Sequence, residues 1–212
     1  MSLSSETLNV LKNFASINQG LLFKPGNRLR TLSVLKNVFA VAEINDEITR
    51  EFAIYDLNEF LGTISLFSKP HLTFNEDHIL IQDGKTKVKY FYSSPAVVVS
   101  PPDKDIVLTD PLLTFELTEG NINQIQKAAA TLKLKELSIR EGKLTALNSG
   151  GVGNQITIEL DTEGKMSDEK LVKIENLKLI EGSYNVKVFE QAVEFSHMTK
   201  PGLVYLVTVE AK

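Results

Sequence analysis

Over the first twenty positions, apolar residues recur at a helical spacing. Leu8, Leu11 and Ala15, flanked by Val10, Phe14 and Ile17, make one broad apolar face, which predicts an amphipathic helix. Ser4 or Ser5 supplies its cap, Glu6 lies in its first turn, and Gly20 follows as a stop. The runs then shorten. GLLFKPGNRLRTLS turns at Pro25-Gly26-Asn27, and VFAVAEI has the composition of a strand. In EFAIYDLNEFLGTISLF, a strand-like run through Phe52 and Ile54 meets a helix cap at Asp56 without a loop. The helix so started is predicted to last two or three turns, because Gly62 weakens it. ISLF, HLTF, HILIQ and KVKYFY read as short strands, with turns near Asn75-Glu76-Asp77 and Asp83-Gly84.

Residues 93–111, SSPAVVVSPPDKDIVLTDP, differ in texture. Four prolines bracket two apolar patches, and Pro101-Pro102 is excluded from a central strand. An extended connector is expected here, ending over 101–111 and separating a first domain, 1–100, from a second, 112–212. The pattern then begins again. LTEGNINQIQKAAATL predicts a second amphipathic helix, with Ile122, Ile125, Ala128, Ala129 and Leu132 on one side. KELSIREGKLTALN gives two strands around Glu141-Gly142, NQITIEL another, and DTEGKMSDEK a polar loop. LVKIENLKLIEGSYNVKVFE answers the earlier strand-and-helix stretch. At an offset of 120, Asp56 falls on Asn176, Leu57 on Leu177, Gly62 on Gly182, Thr63 on Ser183 and Leu66 on Val186. AVEFSHM and LVYLVTVEA close the chain as strands around Lys200-Pro201-Gly202. The order of elements therefore repeats, and internal duplication outranks any single local motif as a clue to fold.

Composition removes several kinds of chemistry. The 212 residues include no cysteine, so disulfides, thiol nucleophiles and cysteine-based zinc sites are excluded. The start MSLSSETL lacks the basic region and apolar core of a signal peptide, and no run approaches membrane-spanning length; a cytoplasmic protein with no membrane partner is expected. His71, His78 and His197 sit in strand-like segments without metal-ligand spacing and read as surface or strand-end residues. Gly150-Gly151-Val152-Gly153 lacks the following helix and the Lys-Ser/Thr of a phosphate loop, and reads as a flexible hairpin. Asp161, Glu163, Asp168 and Glu169 are too irregularly placed for a calcium loop. No catalytic residue, metal site or cofactor is expected.

The helix faces say more. The polar side of the first helix holds Asn9, Lys12, Asn13 and Ser16; that of the 121–132 helix holds Asn123, Gln124, Lys127, Ala130 and Thr131. Each carries one lysine with amides and hydroxyls, and no carboxylate, in a chain with 27 acidic residues, 23 basic ones and a net charge of −4. Such surfaces suit a close but loose approach to phosphates. Glu59 departs from this pattern on the Asp56 helix, where the repeat offers Lys178 instead.

At LKNFASINQG (11–20), and again at FAIYDLNEFLG (52–62), the sequence resembles the sliding clamps of T-even-type bacteriophages. The resemblance runs along the whole chain in order, through the proline-rich connector, and is most specific in those two stretches. It implies an α+β DNA-clamp fold with two similar domains per chain, each with two short helices on an antiparallel sheet framework. It also implies a head-to-tail homotrimeric ring around duplex DNA, helices inward and sheets outward, acting as a polymerase processivity factor without catalysis. Lys12, Lys127 and Lys178, with Asn9, Asn13 and Asn123, are then expected to face DNA. A lining of isolated lysines suits a ring held by topology, since tight phosphate contacts would slow sliding. Three copies at −4 carry a formal −12, so an acidic outer surface is expected. The implied partners are the phage DNA polymerase, the clamp-loader complex and late-transcription proteins, in the cytoplasm of the infected bacterial host. In such clamps, partner tails dock near the connector, where Val97, Val98, Val99, Ile106 and Leu108 stand as candidate docking residues. A monomeric β-rich ligand- or glycan-binding module is the alternative, and would call for clustered exposed aromatics. An enzyme with a dispersed carboxylate site would call for two acids converging in a cleft.

Overall fold

Helix α1 (Ser5–Ile17) starts where the Ser4 hydroxyl accepts the backbone N–H of Thr7 at 3.1 Å, satisfying one of the donors a helix start leaves open. Its buried stripe is Thr7, Val10, Leu11 and Phe14. The computed structural model describes residues 1–104 and 106–210; Asp105 of the expected connector and residues 211–212 of the second expected domain lie outside the described residues. The chain divides into two compact units, Met1–Pro102 and Asp103–Lys212. Among the described residues, no helix is long and apolar enough to cross a membrane.

In the first unit, α1 is followed by β1 (Leu21–Phe23), β2 (Gly26–Leu32), β3 (Val38–Ile48), β4 (Phe52–Ile54), α2 (Leu57–Ser65), β5 (His71–Phe74), β6 (His78–Asp83) and β7 (Thr86–Phe91). β1 pairs with β4, β2 with β3, and β5, β6 and β7 form a meander, all antiparallel. Leu11, Phe14, Ile54, Leu57 and Phe60 are buried together with Ile79 and Ile81 of the meander. Phe52 stacks on Phe23 at 4.5 Å and on Tyr92 at 4.9 Å between ring centroids. Asp46, at the end of β3, accepts the Ser4 N–H at 2.8 Å. Partial burial works to raise the Asp46 carboxyl, but hydrogen bonds from Thr7 and Ser4 outweigh it and hold the group below the usual range.

The second unit runs β8 (Leu113–Leu117), α3 (Glu119–Leu132), β9 (Glu136–Arg140), β10 (Lys143–Leu147), β11 (Ile156–Glu159), β12 (Thr162–Gly164), β13 (Lys170–Lys173), β14 (Tyr184–Val188), β15 (Ala192–His197) and β16 (Val204–Thr208). One sheet has the order β11-β10-β9-β13, and β12-β8-β14-β15-β16 are neighbours in another. The pairings repeat those of the first unit. β9 with β13 matches β1 with β4, β10 with β11 matches β2 with β3, and the β14-β15-β16 meander matches β5-β6-β7. β8 pairs with β14, and at the same place in the first unit Met1 exchanges both backbone hydrogen bonds with Leu72 of β5. The duplication expected from the order of elements is thus present in the hydrogen-bond ladder.

Three expectations need correcting. Ile64 and Ser65 of ISLF belong to α2, which runs through Gly62. A glycine there weakens a helix without ending it when Leu57, Phe60 and Ile64 anchor one face. DTEGKMSDEK is not all loop, because Thr162–Gly164 pairs with β8 as β12. The fourth short helix, read at an offset of 120 from α2, is instead a single 3-10 turn over Ile174–Asn176. The reason lies in the backbone groups just beyond it. The Ile180 N–H donates to the Tyr205 hydroxyl at 3.3 Å, and the Tyr184 hydroxyl donates to the Ile180 carbonyl at 2.5 Å. The His197 ring donates from Nε2 to the Glu181 carbonyl at 3.1 Å, while its Nδ1 accepts the Thr199 N–H at 3.2 Å. Side chains hold the groups a helix would use internally, and burial pushes both phenols above their ordinary range.

The two glycines matched by the offset consequently do different work. A Cβ on Gly62 would meet nothing within 4 Å, whereas one on Gly182, at φ +143°, would lie 2.3 Å from His197 Nε2. Gly62→Ala should stabilise the protein by about 0.5–1 kcal/mol through helix propensity. Gly182→Ala should destabilise it by more than that, from both the ring collision and the backbone conformation. Urea unfolding of the two variants checks these opposite signs.

Candidate nucleic-acid interface and docking surface

With Leu11 and Phe14 wholly buried, the rotation of α1 about its axis is fixed. Asn9, Lys12 and Ser16 are exposed on its far side and Asn13 is half-buried there. The Ser16 hydroxyl donates to the Asn13 carbonyl at 2.6 Å. The only carboxylate of α1 is Glu6, in its first turn, and Asn45 donates a hydrogen bond to it. Helix α3 repeats the arrangement. Thr118 and Asn121 cap it reciprocally, Ile125 and Ala129 are buried, and Lys127, Gln124, Ala130 and Thr131 are exposed with Asn123 half-buried. Its only carboxylate, Glu119, likewise sits in the first turn.

Helix α2 differs. Asp56 accepts the backbone N–H groups of Asn58 at 2.9 Å and Glu59 at 3.0 Å, and the Gln19 amide at 2.5 Å. The Glu59 N–H and the Gln19 amide, against slight burial, hold its carboxyl below the usual range. Exposed Glu59 hydrogen-bonds the Tyr90 phenol, and that phenol is raised by burial first and by Glu59 second. The one carboxylate of α2 is therefore tied to the neighbouring meander. Lys178 is exposed but lies in an extended segment after the 3-10 turn. Its expected position on a helix face is corrected accordingly.

Around the connector the apolar residues separate into two kinds. Val97 is 57% exposed, but Val98 is 8% exposed and packs at Gly20, where a Cβ would stand 3.2 Å from its Cγ1. Val98 is thus corrected from an exposed docking candidate to a packing residue. Val99 is half-buried, and its carbonyl accepts from Asn18 Nδ2 at 2.8 Å. The same amide donates to the Leu32 carbonyl at 2.9 Å, so one side chain ties the end of β2 to the connector. Ile106, 43% exposed, and half-buried Leu108 belong to the second unit.

Two residues that the sequence reading passed over lie at the β2–β3 turn, beside that tie. The buried Ser33 hydroxyl accepts the N–H groups of Asn37 and Val38, and the Ser33 carbonyl accepts that of Lys36 at 2.8 Å. The turn is rigidly held, yet Val34 and Leu35 at its tip are 66% and 82% exposed. Two aliphatic residues in SVLKN, where a turn normally takes polar ones, were the available signal.

Among the described residues no group of three or more histidines or carboxylates is placed to hold a metal. The duplicated units, each with a helix lying across antiparallel strands, define the DNA-clamp fold. PCNA from Thermococcus kodakaraensis superimposes with a TM-score of 0.71 at 14% identity, covering 99% of each chain. A Helicobacter pylori beta clamp bound to a DNA ligase peptide gives 0.64 at 13% identity, covering all of this chain and 66% of that one. The sequence narrows the class. The DNA polymerase processivity factor family matches residues 4–99. The sliding clamp of Vibrio phage KVP40 is 32% identical over the full length of both chains, and that of Enterobacteria phage T4 is 29% identical over 88% of this chain and 86% of its own. The chain belongs to the phage sliding-clamp family, the processivity factors of phage DNA replication.

Asn18 is the polar keystone between β2 and the connector, since it is 6% exposed and its Oδ1 also accepts the Gly20 N–H at 3.0 Å. Asn18→Ala should cost about 1–3 kcal/mol by orphaning buried groups. It should also speed proteolysis within residues 99–111. Limited digestion of wild type and variant, followed by mass spectrometry of the cut sites, checks this.

Proposed function

We propose that three copies of this chain close head to tail into a ring around duplex DNA, each unit serving as one clamp domain. α1 and α3 face inward, presenting Lys12, Asn9 and Asn13 from one and Lys127 and Asn123 from the other. Lys178 joins them from an extended segment of the second unit. The observation that carries this is the pair of outward helix faces, each with one lysine and its only carboxylate confined to the first turn, in a chain of net charge −4. One lysine per helix gives a few weak phosphate contacts, so retention comes from closure and the ring stays free to slide. The ring itself carries out no reaction. It tethers the phage DNA polymerase, is opened by a clamp loader, and serves late-transcription proteins in the host cytoplasm.

Partner tails dock by the apolar side chains of Val34, Leu35, Val97 and Val99 in the first unit, and Ile106 and Leu108 are the docking candidates of the second. The rigid turn presents Val34 and Leu35 at little entropic cost on binding. A β-clamp of the same fold was solved with a DNA ligase peptide bound, which supports peptide docking as a use of this fold.

The test is topological. Protein loaded onto nicked circular duplex by the clamp loader of its own phage should co-elute with the circle and be released when the circle is linearised. Equal retention on linear and circular duplex would contradict the ring. Lys12→Glu combined with Lys127→Glu should lower retention several-fold and leave the oligomeric mass unchanged.

A further inference from the structure

In the second unit, the segment that takes the place of a second helix reaches α3. The Ser183 hydroxyl accepts the backbone N–H of Glu119, the first residue of α3, at 3.0 Å. That N–H is one of the donors a helix start leaves open, and Thr118 already serves another, that of Asn121. In the first unit the matching hydroxyl is spent elsewhere. Thr63, the offset counterpart of Ser183, donates to the Glu59 carbonyl at 2.9 Å inside α2. The start of α1 is held instead from β3, by Asp46. A chain kept extended at Ser183 therefore does what a helix there does not, and ties down a helix start 64 residues away in sequence.

His197 fixes the backbone that carries Ser183. Its ring is buried and meets the Tyr184 ring edge to face, at 4.9 Å between centroids. The Glu181 carbonyl can only accept and the Thr199 N–H can only donate, so the ring holds its proton on Nε2 and a lone pair on Nδ1. Gly182 lies against the ring with no room for a side chain. The next peptide is pinned as well, because the Ser183 carbonyl accepts the N–H of Met198, the residue after β15, at 2.9 Å. Glu181, Gly182 and Ser183 are thus held in turn by the ring nitrogen, by the ring itself and by the strand end beside it.

We infer that His197 is a positioning residue for the nucleic-acid face of the second unit. By fixing residues 181–183 it sets the point at which Ser183 receives α3. It so joins α3, with Lys127 and Asn123, to the segment that carries Lys178. The inference rests on the ring reading for what those residues face. Held this way, the two sets of polar groups keep one spacing and meet phosphates as a single rigid surface. A loose α3 start would let Lys127 and Lys178 move independently, and each phosphate contact would then cost more ordering.

Hydrogen exchange of the full chain and retention on nicked circular duplex test this side by side. Ser183→Ala should speed exchange of the Glu119 and Ile122 amides by about three- to tenfold and lower retention several-fold. Ser183→Thr, which keeps the hydroxyl, should match wild type. His197→Gln keeps a donor for the Glu181 carbonyl and should protect the α3 start better than His197→Asn, which does not. Nitrogen NMR should show the His197 ring protonated on Nε2. The Ser183 variants leave the buried ring untouched and decide the question even where a His197 variant fails to fold. Unchanged Glu119 exchange in Ser183→Ala, or a ring protonated on Nδ1 alone, overturns the tie. Faster exchange with unchanged retention overturns the positioning role. A wild type equally retained on linear and circular duplex overturns the ring reading and the positioning of DNA contacts with it, while the exchange result still decides the tie.

Discussion

Burial of one face of α1 and of α3 is the constraint on which the rest depends. Leu11 and Phe14 are wholly covered in the first helix, and Ile125 and Ala129 nearly so in the second. Each anchored helix has one remaining rotation, and the residues that emerge are lysine, amides, hydroxyls and small side chains. That set suits a surface that must lie close to a polyanion without holding it, and two such surfaces arise because the unit is duplicated.

The duplication is faithful in hydrogen bonding and loose in side-chain function. Asp56 caps α2 with two backbone N–H groups, while its counterpart Asn176 is buried at the end of a 3-10 turn. Tyr184, Tyr205 and His197 take the backbone groups of residues 180–181 and fix that segment as extended chain. Buried side chains that take up backbone groups in this way specify one backbone conformation strongly. In α2 the task falls to apolar contacts of Leu57, Phe60 and Ile64, which favour a helix even across Gly62.

Much of the fold was legible in the sequence, because α1, α3 and the hairpins are set by local periodicity and turn residues. The missing fourth helix was not. The cap-like Asn176 and the glycine at 182 have the spacing of a helix, and the hydrogen bonds that override it come from Tyr205 and His197, far along the chain. Short strands paired at long range, such as β12 on β8, escape for the same reason. On the functional side, Lys12 and Lys127 stood out by contrast with an acidic chain. Val98 did not separate from Val97, since neighbouring valines of a proline-rich connector look alike until the 3-10 turn over Pro95–Val97 leaves one exposed and Gly20 receives the other. Val34 and Leu35 lay between two segments read as separate elements, in a stretch given no reading of its own.

The central claim is that this chain works as a closed assembly, which makes its mass in solution the most direct measurement. Light scattering after size exclusion, from micromolar to nanomolar protein, should give three times the 23.6 kDa chain mass at the upper end. A mass that stays at 23.6 kDa across that whole range would contradict the account.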